Sequence, residues 1–548
     1  MTLGILVPIK RLVLYIGISI SLLGFSSCSN LNLKHRLIHN NDGTDALGNI
    51  WFHKRPLSVA DINAYVDMVA NTQVTTFMMS SGSDFLYYRS KFGRVFCDDL
   101  NGKLNCGSDT AACANFKKYY RNFLNLEREG TDLIAASLNR AKKKGMEAFI
   151  TYRMNDLHFN DTTTHCPIVY SDFWYKHPEF WLNDDTPGWN SRQALDFAHQ
   201  EVRNQKLGII SEQLDKYDMI DGLDLDFMRF IVYFKLGEGR KNAPLMTQLV
   251  KDIRAKVDAV SARRGKKILL SVRVPPTVKA CLDKGLDIQE WIHLGLIDFV
   301  SIGVHWKGDP SLPVAQFRKD LSPLTIPLYA SIDDGGYSQR EPFSHGMFRG
   351  MASHILAQGA DGIYLFNQYY GGYMSDYNGQ LHLEKGDQVC RVMMPLLLHE
   401  LGSLETLKNR NKIYALADHS GEYGMSTEAP LPLKVEDKSV FEIFIGDDPA
   451  KTIPEETILF FRSDHPTDCE LSVNGIKVIV EKPEYVQLFD KARGLNNDEI
   501  EYAMILPVSC LKQGNNAITF HRGKSGSFSV KRLELALKYG NTKTHGYF

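Results

Sequence analysis

The ten residues DGLDLDFMRF, Asp221 to Phe230, hold three aspartates and an arginine in a stretch that otherwise reads as a buried strand. Carboxylates at alternate positions share one face of a strand. When two lie close together they push each other's pKa values apart, so that one can hold a proton while the other stays charged, which is the requirement for paired acid and base work. Asp224 and Asp226 are such a pair, and Asp333, in IPLYASIDD, is a third carboxylate at the end of another apolar run. Other runs end in groups that bind or position: Arg153 and Asn155 in YRMND, Arg273 in SVRVPP, His305 and Trp306 in IGVHW, and Tyr364 and Asn367 in IYLFNQ. Aromatic rings and amides of this kind suit stacking on, and hydrogen bonding to, a sugar.

These residues need a scaffold that brings strand ends together. From about residue 48 to 400 short apolar runs alternate with amphipathic helical stretches, the signature of a parallel α/β fold. Eight strands are predicted, at 49–55, 74–81, 146–155, 219–227, 267–275, 297–306, 326–334 and 361–368. Between them SVADINAYVDMVA, TDLIAASLNRAKKKG, HQEVRNQKLGIISEQLDKY, LMTQLVKDIRAKVDAVSARRG and FRGMASHILAQG read as helices. Eight such units predict a (β/α)8 TIM barrel, whose functional face is built at the C-terminal ends of its strands. Strand parity then sends Leu223 and Leu225 to the helices and Gly222, Asp224 and Asp226 to the axis. It likewise aims Ser271, Arg273, Ser301, Gly303, His305, Tyr329, Ser331 and Asp333 inward, so Asp333 is preferred to Asp334. On the first predicted strand Trp51, His53 and Arg55 share a face.

After about residue 430 the runs become short, β-rich and separated by Gly, Asn, Asp and Pro turns, which predicts a C-terminal β-sandwich over 431–548 behind a linker at 401–430. At the other end Lys10 and Arg11 precede the apolar run Leu12 to Phe25 and the small residues Ser26 and Ser27. This is the pattern of a signal peptide, 1–27, and its end resembles a lipoprotein lipobox, with Cys28 as the acylated residue and 28–47 as a tether. The expected location is therefore the bacterial cell envelope, on a lipid anchor. The 63 basic and 64 acidic side chains leave no global basic field, so nucleic acid is not an expected partner. Cys97, Cys106 and Cys113 lie close enough in a turn-rich segment for one disulfide. A zinc site there is weaker, for want of a CxxC or a close histidine pair.

YRMND, HPEFWL with ALDFAHQEVR, DGLDLDFMRF and SVRVPP resemble the exported glycosyl-hydrolase-like barrels that are distantly similar to glycoside hydrolase family 10. The resemblance covers roughly residues 48–400 and implies a glycosidase acting on a plant, algal or host glycan, with carbohydrate as partner and no cofactor. DGLDLDFM is also similar to the DGxDxDxE strand of the chitinase family, but Met228 stands where that family has its acid glutamate. Family 10 places glutamates after strands four and seven; here those ends offer Asp226 and Asp333. Two carboxylates suffice for glycoside hydrolysis, about 5–5.5 Å apart for retention and about 6.5–9.5 Å for inversion.

The roles expected are Asp226 as general acid, Asp333 as its partner and Asp224 as a tuning or sugar-binding carboxylate. Arg153, Asn155, Arg273, His305, Trp306, Tyr364 and Asn367 are the expected substrate contacts. Alternatives stay open at this point: a strand-four aspartate as nucleophile with His305 as acid, a metal site of Asp224, Asp226, His305 and His158, or a barrel that binds glycan without cleaving it. Arg153, Arg229 and Arg273 either neutralise the aspartates or recognise a uronate or sulfate. Trp174, Trp181 and Trp189 either line sugar subsites or pack over the barrel.

Overall fold

The computed structural model describes residues 35–48, 55–98, 110–158, 171–188, 191–304, 308–333, 345–367, 397–417, 429–480 and 499–540. The chain divides into two units, Met1–His35 and Arg36–Phe548, and the strands and helices belong to the second. Cys28, Trp51, His53, Cys106, Trp189, His305, Trp306 and Asp334 lie outside the described residues, as does the side chain of Cys113.

Eight parallel strands close into a barrel: β1 (Arg36–Asn41), β2 (Thr76–Ser80), β3 (Glu147–Arg153), β4 (Gly222–Asp226), β5 (Leu269–Val274), β6 (Phe299–Ile302), β7 (Leu328–Asp333) and β8 (Gly362–Phe366). The expected first strand at 49–55 is corrected: β1 is RLIHNN, inside the segment 28–47 that was expected to be a tether. It pairs with β8 on one side and β2 on the other. Its alternation is sound, since Arg36, Ile38 and Asn40 face the axis, but the axial layers it meets are largely polar. At the bottom Arg36 donates to both oxygens of Glu147, at 2.7 and 3.0 Å, and to the Tyr329 hydroxyl at 2.8 Å.

The helices include α1 (Val59–Asp67), α2 (Thr110–Arg128), α3 (Leu133–Lys143), α4 (Gln200–Lys216), α5 (Gly239–Arg264), α6 (Val278–Asp283), α7 (Ile288–His293), α8 (Val314–Leu321) and α9 (His345–Ala357); of these, α1, α3, α4, α5 and α9 lie where amphipathic spacing predicts them. Their ends follow local chemistry. Ser58 and Asp61 form a capping box at α1, Asp132 caps α3 through the Ala135 amide, and α5 stops at Gly265, whose φ of 60° is left-handed. Outward residues of the strands, among them Leu223, Leu225, Leu270, Val272, Ala330 and Ile332, form one core with these helices.

The axis carries its own apolar cluster of Ile38, Met78, Phe149, Leu269, Phe299, Tyr329, Tyr364 and Phe366. Every barrel strand contributes to it except β4. Gly222 makes room for the Phe149 ring, because a Cβ there would lie 2.1 Å from Cε1, and the next inward positions of β4 are Asp224 and Asp226. The carboxylates thus occupy the one strand that gives up apolar filling of the barrel.

The C-terminal region is a sandwich of two antiparallel sheets. Its strands are β9 (Lys412–Ala415), β10 (Leu433–Val435), β11 (Lys438–Ile445), β12 (Glu456–Ser463), β13 (Glu470–Val473), β14 (Ile476–Val478), β15 (Ile500–Ile505), β16 (Gly514–His521) and β17 (Phe528–Lys538). One sheet runs β9-β17-β12-β15 with β10 on β17, and the other β11-β16-β13-β14. The expected linker at 401–430 is corrected by β9, a strand of the first sheet. That sheet is buried on both faces. Tyr414, Leu459, Phe461, Tyr502 and Leu535 line the sandwich core, while Ile413, Ala415, Ile458, Phe460, Ala503 and Ala536 join the barrel core. Contact with α9 is close: a Cβ at Gly350 would fall 1.9 Å from the Ile413 carbonyl oxygen, and the Tyr414 hydroxyl donates to Ser353 Oγ at 2.8 Å. A sheet with no free face acts as a brace for the barrel.

Cys281, Cys469 and Cys510 are buried free thiols. Among the described residues no helix is long and apolar enough to cross a membrane.

Candidate active site at the barrel mouth

The register of the sheet decides which charged groups meet. Asp226 on β4 is level with Arg273 on β5 and with Arg153 on β3. Arg273 Nε donates to Asp226 Oδ1 at 2.9 Å and Nη2 donates to Oδ2 at 3.1 Å, a two-pronged pair in which both residues are no more than 1% exposed. Oδ1 also accepts the Met228 amide at 2.8 Å. The guanidinium carbon lies 3.5 Å from the centroid of the Phe366 ring, across the axis on β8, and Phe366 is level with Asp333 on β7. Burial by itself lowers the Arg273 pKa; Asp226, through its charge and its hydrogen bonds, more than offsets it, and the net shift is upward. Arg273 is therefore the charged hub of the mouth.

One layer down, Asp224 takes three hydroxyl donors: Ser271 Oγ at 2.6 Å to one oxygen, and Thr151 Oγ1 and Tyr364 Oη, each at 3.0 Å, to the other. Asn40 in turn donates to the Tyr364 hydroxyl at 2.9 Å. Burial, and then the Asp226 charge, push the Asp224 carboxyl up to about 6 against these donors. Tyr364 is wholly buried beneath the mouth, so the expectation that it touches a sugar is corrected: its task is to hold Asp224.

Arg153 binds Asp42 at 3.3 Å and Asp156 at 3.1 Å. The Asn155 amide is spent on the Val232 carbonyl at 2.6 Å, which pins the loops after β3 and β4 together. That is a structural task, not the expected substrate contact. Asn367, which ends β8 in a left-handed turn at φ 49°, is 3% exposed, and its Oδ1 has no hydrogen-bond partner among the described residues.

Asp156 organises a second cluster. It accepts His158 Nδ1 at 2.6 Å, and Arg229 Nη2 lies 3.2 Å from His158 Nε2. Burial would raise the Asp156 carboxyl, but His158, Arg153 and Arg229 hold it below the usual carboxylate range. Burial, helped by Arg229, lowers the pKa of His158 even though Asp156 opposes this. Residues missed for want of the correct first strand are Asn40 and Asp42, which support Tyr364 and Arg153. The signal available was the polar run His39 to Asp42 after Leu37 and Ile38.

The tryptophan segment folds as a short helix, Asp172–Lys176, and a 3-10 turn, Pro178–Phe180. Trp174 is buried and stacks on Trp181 at 4.7 Å between centroids. Of the two readings of these rings, packing over the barrel is the one Trp174 follows. For the metal reading, no group of three or more ligating side chains occurs among the described residues, which do not include His305.

The raised Asp224 carboxyl has a consequence for stability. In the unfolded chain the group titrates near 3.8 and in the folded one near 6, so the native state holds the proton more tightly. The contribution is fully present below about pH 4 and is lost as pH rises through 6, on the order of 3 kcal/mol. Asp224→Asn is expected to remove this slope relative to wild type, read as urea unfolding free energy between pH 4 and pH 7. Parallel curves for the two proteins would refute it.

No family model and no curated protein matches the chain. Among solved structures it is similar to a Paenibacillus sp. cycloisomaltooligosaccharide glucanotransferase, at 10% identity over 91% of this chain and 57% of that one, with a TM-score of 0.33. The chain thus spans little more than half of that protein. It is also similar to α-L-fucosidase isoenzyme 1 of Paenibacillus thiaminolyticus, at 17% identity over 90% and 98% of the two chains and a TM-score of 0.35. A noncanonic maltogenic α-amylase of Thermotoga neapolitana gives 9% identity over 90% and 100%, with a TM-score of 0.38. Likenesses this distant leave the reading of the mouth to its own geometry, and the resemblance to family 10 rests on its motifs alone.

Proposed function

We propose that the protein is a glycoside hydrolase whose reaction centre is the mouth of the barrel. The observation that carries this is the convergence of Asp226, Asp333 and Arg273 at the C-terminal ends of β4, β7 and β5, the face on which barrels of this fold build active sites. A barrel kept for packing alone gains little from burying these charges, because desolvation costs several kcal/mol per ion before pairing offsets it.

The geometry revises the roles expected from sequence. Both oxygens of Asp226 accept from Arg273, so Asp226 is the charged carboxylate, the member that attacks the anomeric carbon or deprotonates water. Asp333 then supplies the proton to the departing oxygen, and Asp224 tunes Asp226 from below. Asp226 and Asp333 are 1% and 2% exposed, so sugar must open the mouth as it binds. The proposal also places the chain in the bacterial cell envelope, tethered through Cys28.

A second reading keeps the sugar and drops the chemistry. The full engagement of Asp226 favours it, since a carboxylate held on both oxygens must give up part of that bonding to react. Incubation of the purified protein with a panel of plant, algal and host polysaccharides, with reducing-end release and binding measured on the same samples, separates the two. Release from at least one polysaccharide is expected. Binding without release from any of them establishes the second reading.

A further inference from the structure

We propose that Arg229, presented by His158, is a recognition site for an oxyanion, a carboxylate or sulfate carried by the sugar that enters the barrel mouth. Its three arginines have distinct surroundings. Arg273 is matched by Asp226, and Arg153 by Asp42 and Asp156. Arg229, three residues beyond Asp226, is 7% exposed and makes no ion pair within 4.0 Å among the described residues. Among the described residues its one hydrogen bond is the Nη2 contact with His158 Nε2 at 3.2 Å, and its buried Nε has no partner there. A guanidinium kept from water without a carboxylate in contact is costly to the fold, and a bound anion offsets that cost.

The support for Arg229 explains why its charge is not cancelled. Asp156 fixes the His158 ring by accepting from Nδ1 at 2.6 Å, which leaves Nε2 as the acceptor facing Arg229. A neutral imidazole holds the guanidinium in place, whereas a carboxylate there would neutralise it. Asp156 itself stands one ring away and is taken directly by Arg153. The surroundings lower the local dielectric: Phe230, beside Leu157, Leu182, Ala194 and Val232, lies 5.8 Å from the guanidinium carbon and edge-on to His158 at 5.1 Å. His158 is 24% exposed at its side chain while Asp156 is fully covered, so the cluster reaches the surface on the histidine side. A planar fork in a dry setting suits a carboxylate or sulfate and gains nothing from a neutral hydroxyl.

The site deepens the glycosidase reading and rests on it only for the ligand being a sugar. The test is calorimetric titration of the full chain with sodium glucuronate, sodium sulfate and glucose, for wild type, Arg229→Met and Arg229→Lys. Wild type is expected to bind one or both anions at least tenfold more tightly than glucose. Glucuronate alone points to a uronate, and sulfate alone to a sulfated sugar. Arg229→Met should lose that preference, and Arg229→Lys, which keeps the charge and loses the fork, should fall between them. If Arg229→Met does not fold, the comparison of wild type with Arg229→Lys decides. Anion binding unchanged in the variants, or absent from wild type, overturns the site. Turnover of a neutral glycan with no anion binding by wild type would leave the hydrolase standing and remove the site; anion binding through Arg229 without any turnover would do the reverse.

Discussion

Arg273→Leu is expected to destabilise the fold by about 3–5 kcal/mol, because it leaves the Asp226 carboxylate buried without its counter-charge. A loss of that size is a large share of the roughly 5–15 kcal/mol typical of a folded domain. Three features of the site set the magnitude. Both side chains are no more than 1% exposed, the pair is two-pronged, and the guanidinium also rests on the Phe366 ring at 3.5 Å, so charge, hydrogen bonds and stacking go together. Lysine cannot replace it: Arg273→Lys restores a charge without the fork or the flat face. Removing both partners, Arg273→Leu with Asp226→Leu, should recover much of the stability, because the uncompensated ion is gone. Urea unfolding of the single and double variants checks this, and a double variant no more stable than Arg273→Leu alone would show that the pair is not the source of the loss.

The second large effect is on rate. Asp226→Asn keeps a side chain of the same shape and one acceptor for Arg273, but the amide neither attacks the anomeric carbon nor removes a proton from water. Turnover is expected to fall by about two to four orders of magnitude, with glycan affinity changed far less. Asp333→Asn should lose rate to a similar degree on substrates with poor leaving groups and much less on activated aryl glycosides, which need little help from an acid. This asymmetry distinguishes the charged carboxylate from the proton donor. Equal losses on both kinds of substrate for both variants would reverse or erase the division of roles. Rates should be compared at a temperature where each variant shows native near-ultraviolet dichroism, since Asp226→Asn also leaves Arg273 short of a counter-ion.

The strands after the first were legible because each carries a period-2 apolar set toward the helices. Leu223 and Leu225 against Asp224 and Asp226 is the plainest case. β1 was not legible, because RLIHNN has two aliphatic residues and then His39, Asn40 and Asn41. Its inner face mixes Arg36, Ile38 and Asn40, so no period-2 apolar set marks it, while the aromatic run NIWFHKR looks more like a strand than the strand itself. Parity aimed Arg273 at the axis but left either Asp224 or Asp226 as its partner. Register, which sequence spacing does not encode, chose Asp226. The same gap hid the Asp156, His158 and Arg229 cluster, whose members come from two loops joined only when β3 and β4 lie side by side. Tyr364 was expected among the substrate contacts, yet its depth along the axis, and so its task, depended on the stagger of the strands.

The measurement that bears most directly on the proposed chemistry is reducing-end release by wild type and Asp226→Asn, side by side, on whichever polysaccharide the protein binds. Release by wild type, reduced at least a hundredfold in Asp226→Asn with binding retained, is the expected result. Binding by both proteins with release by neither, or release that survives the substitution, would contradict a reaction centre built on Asp226.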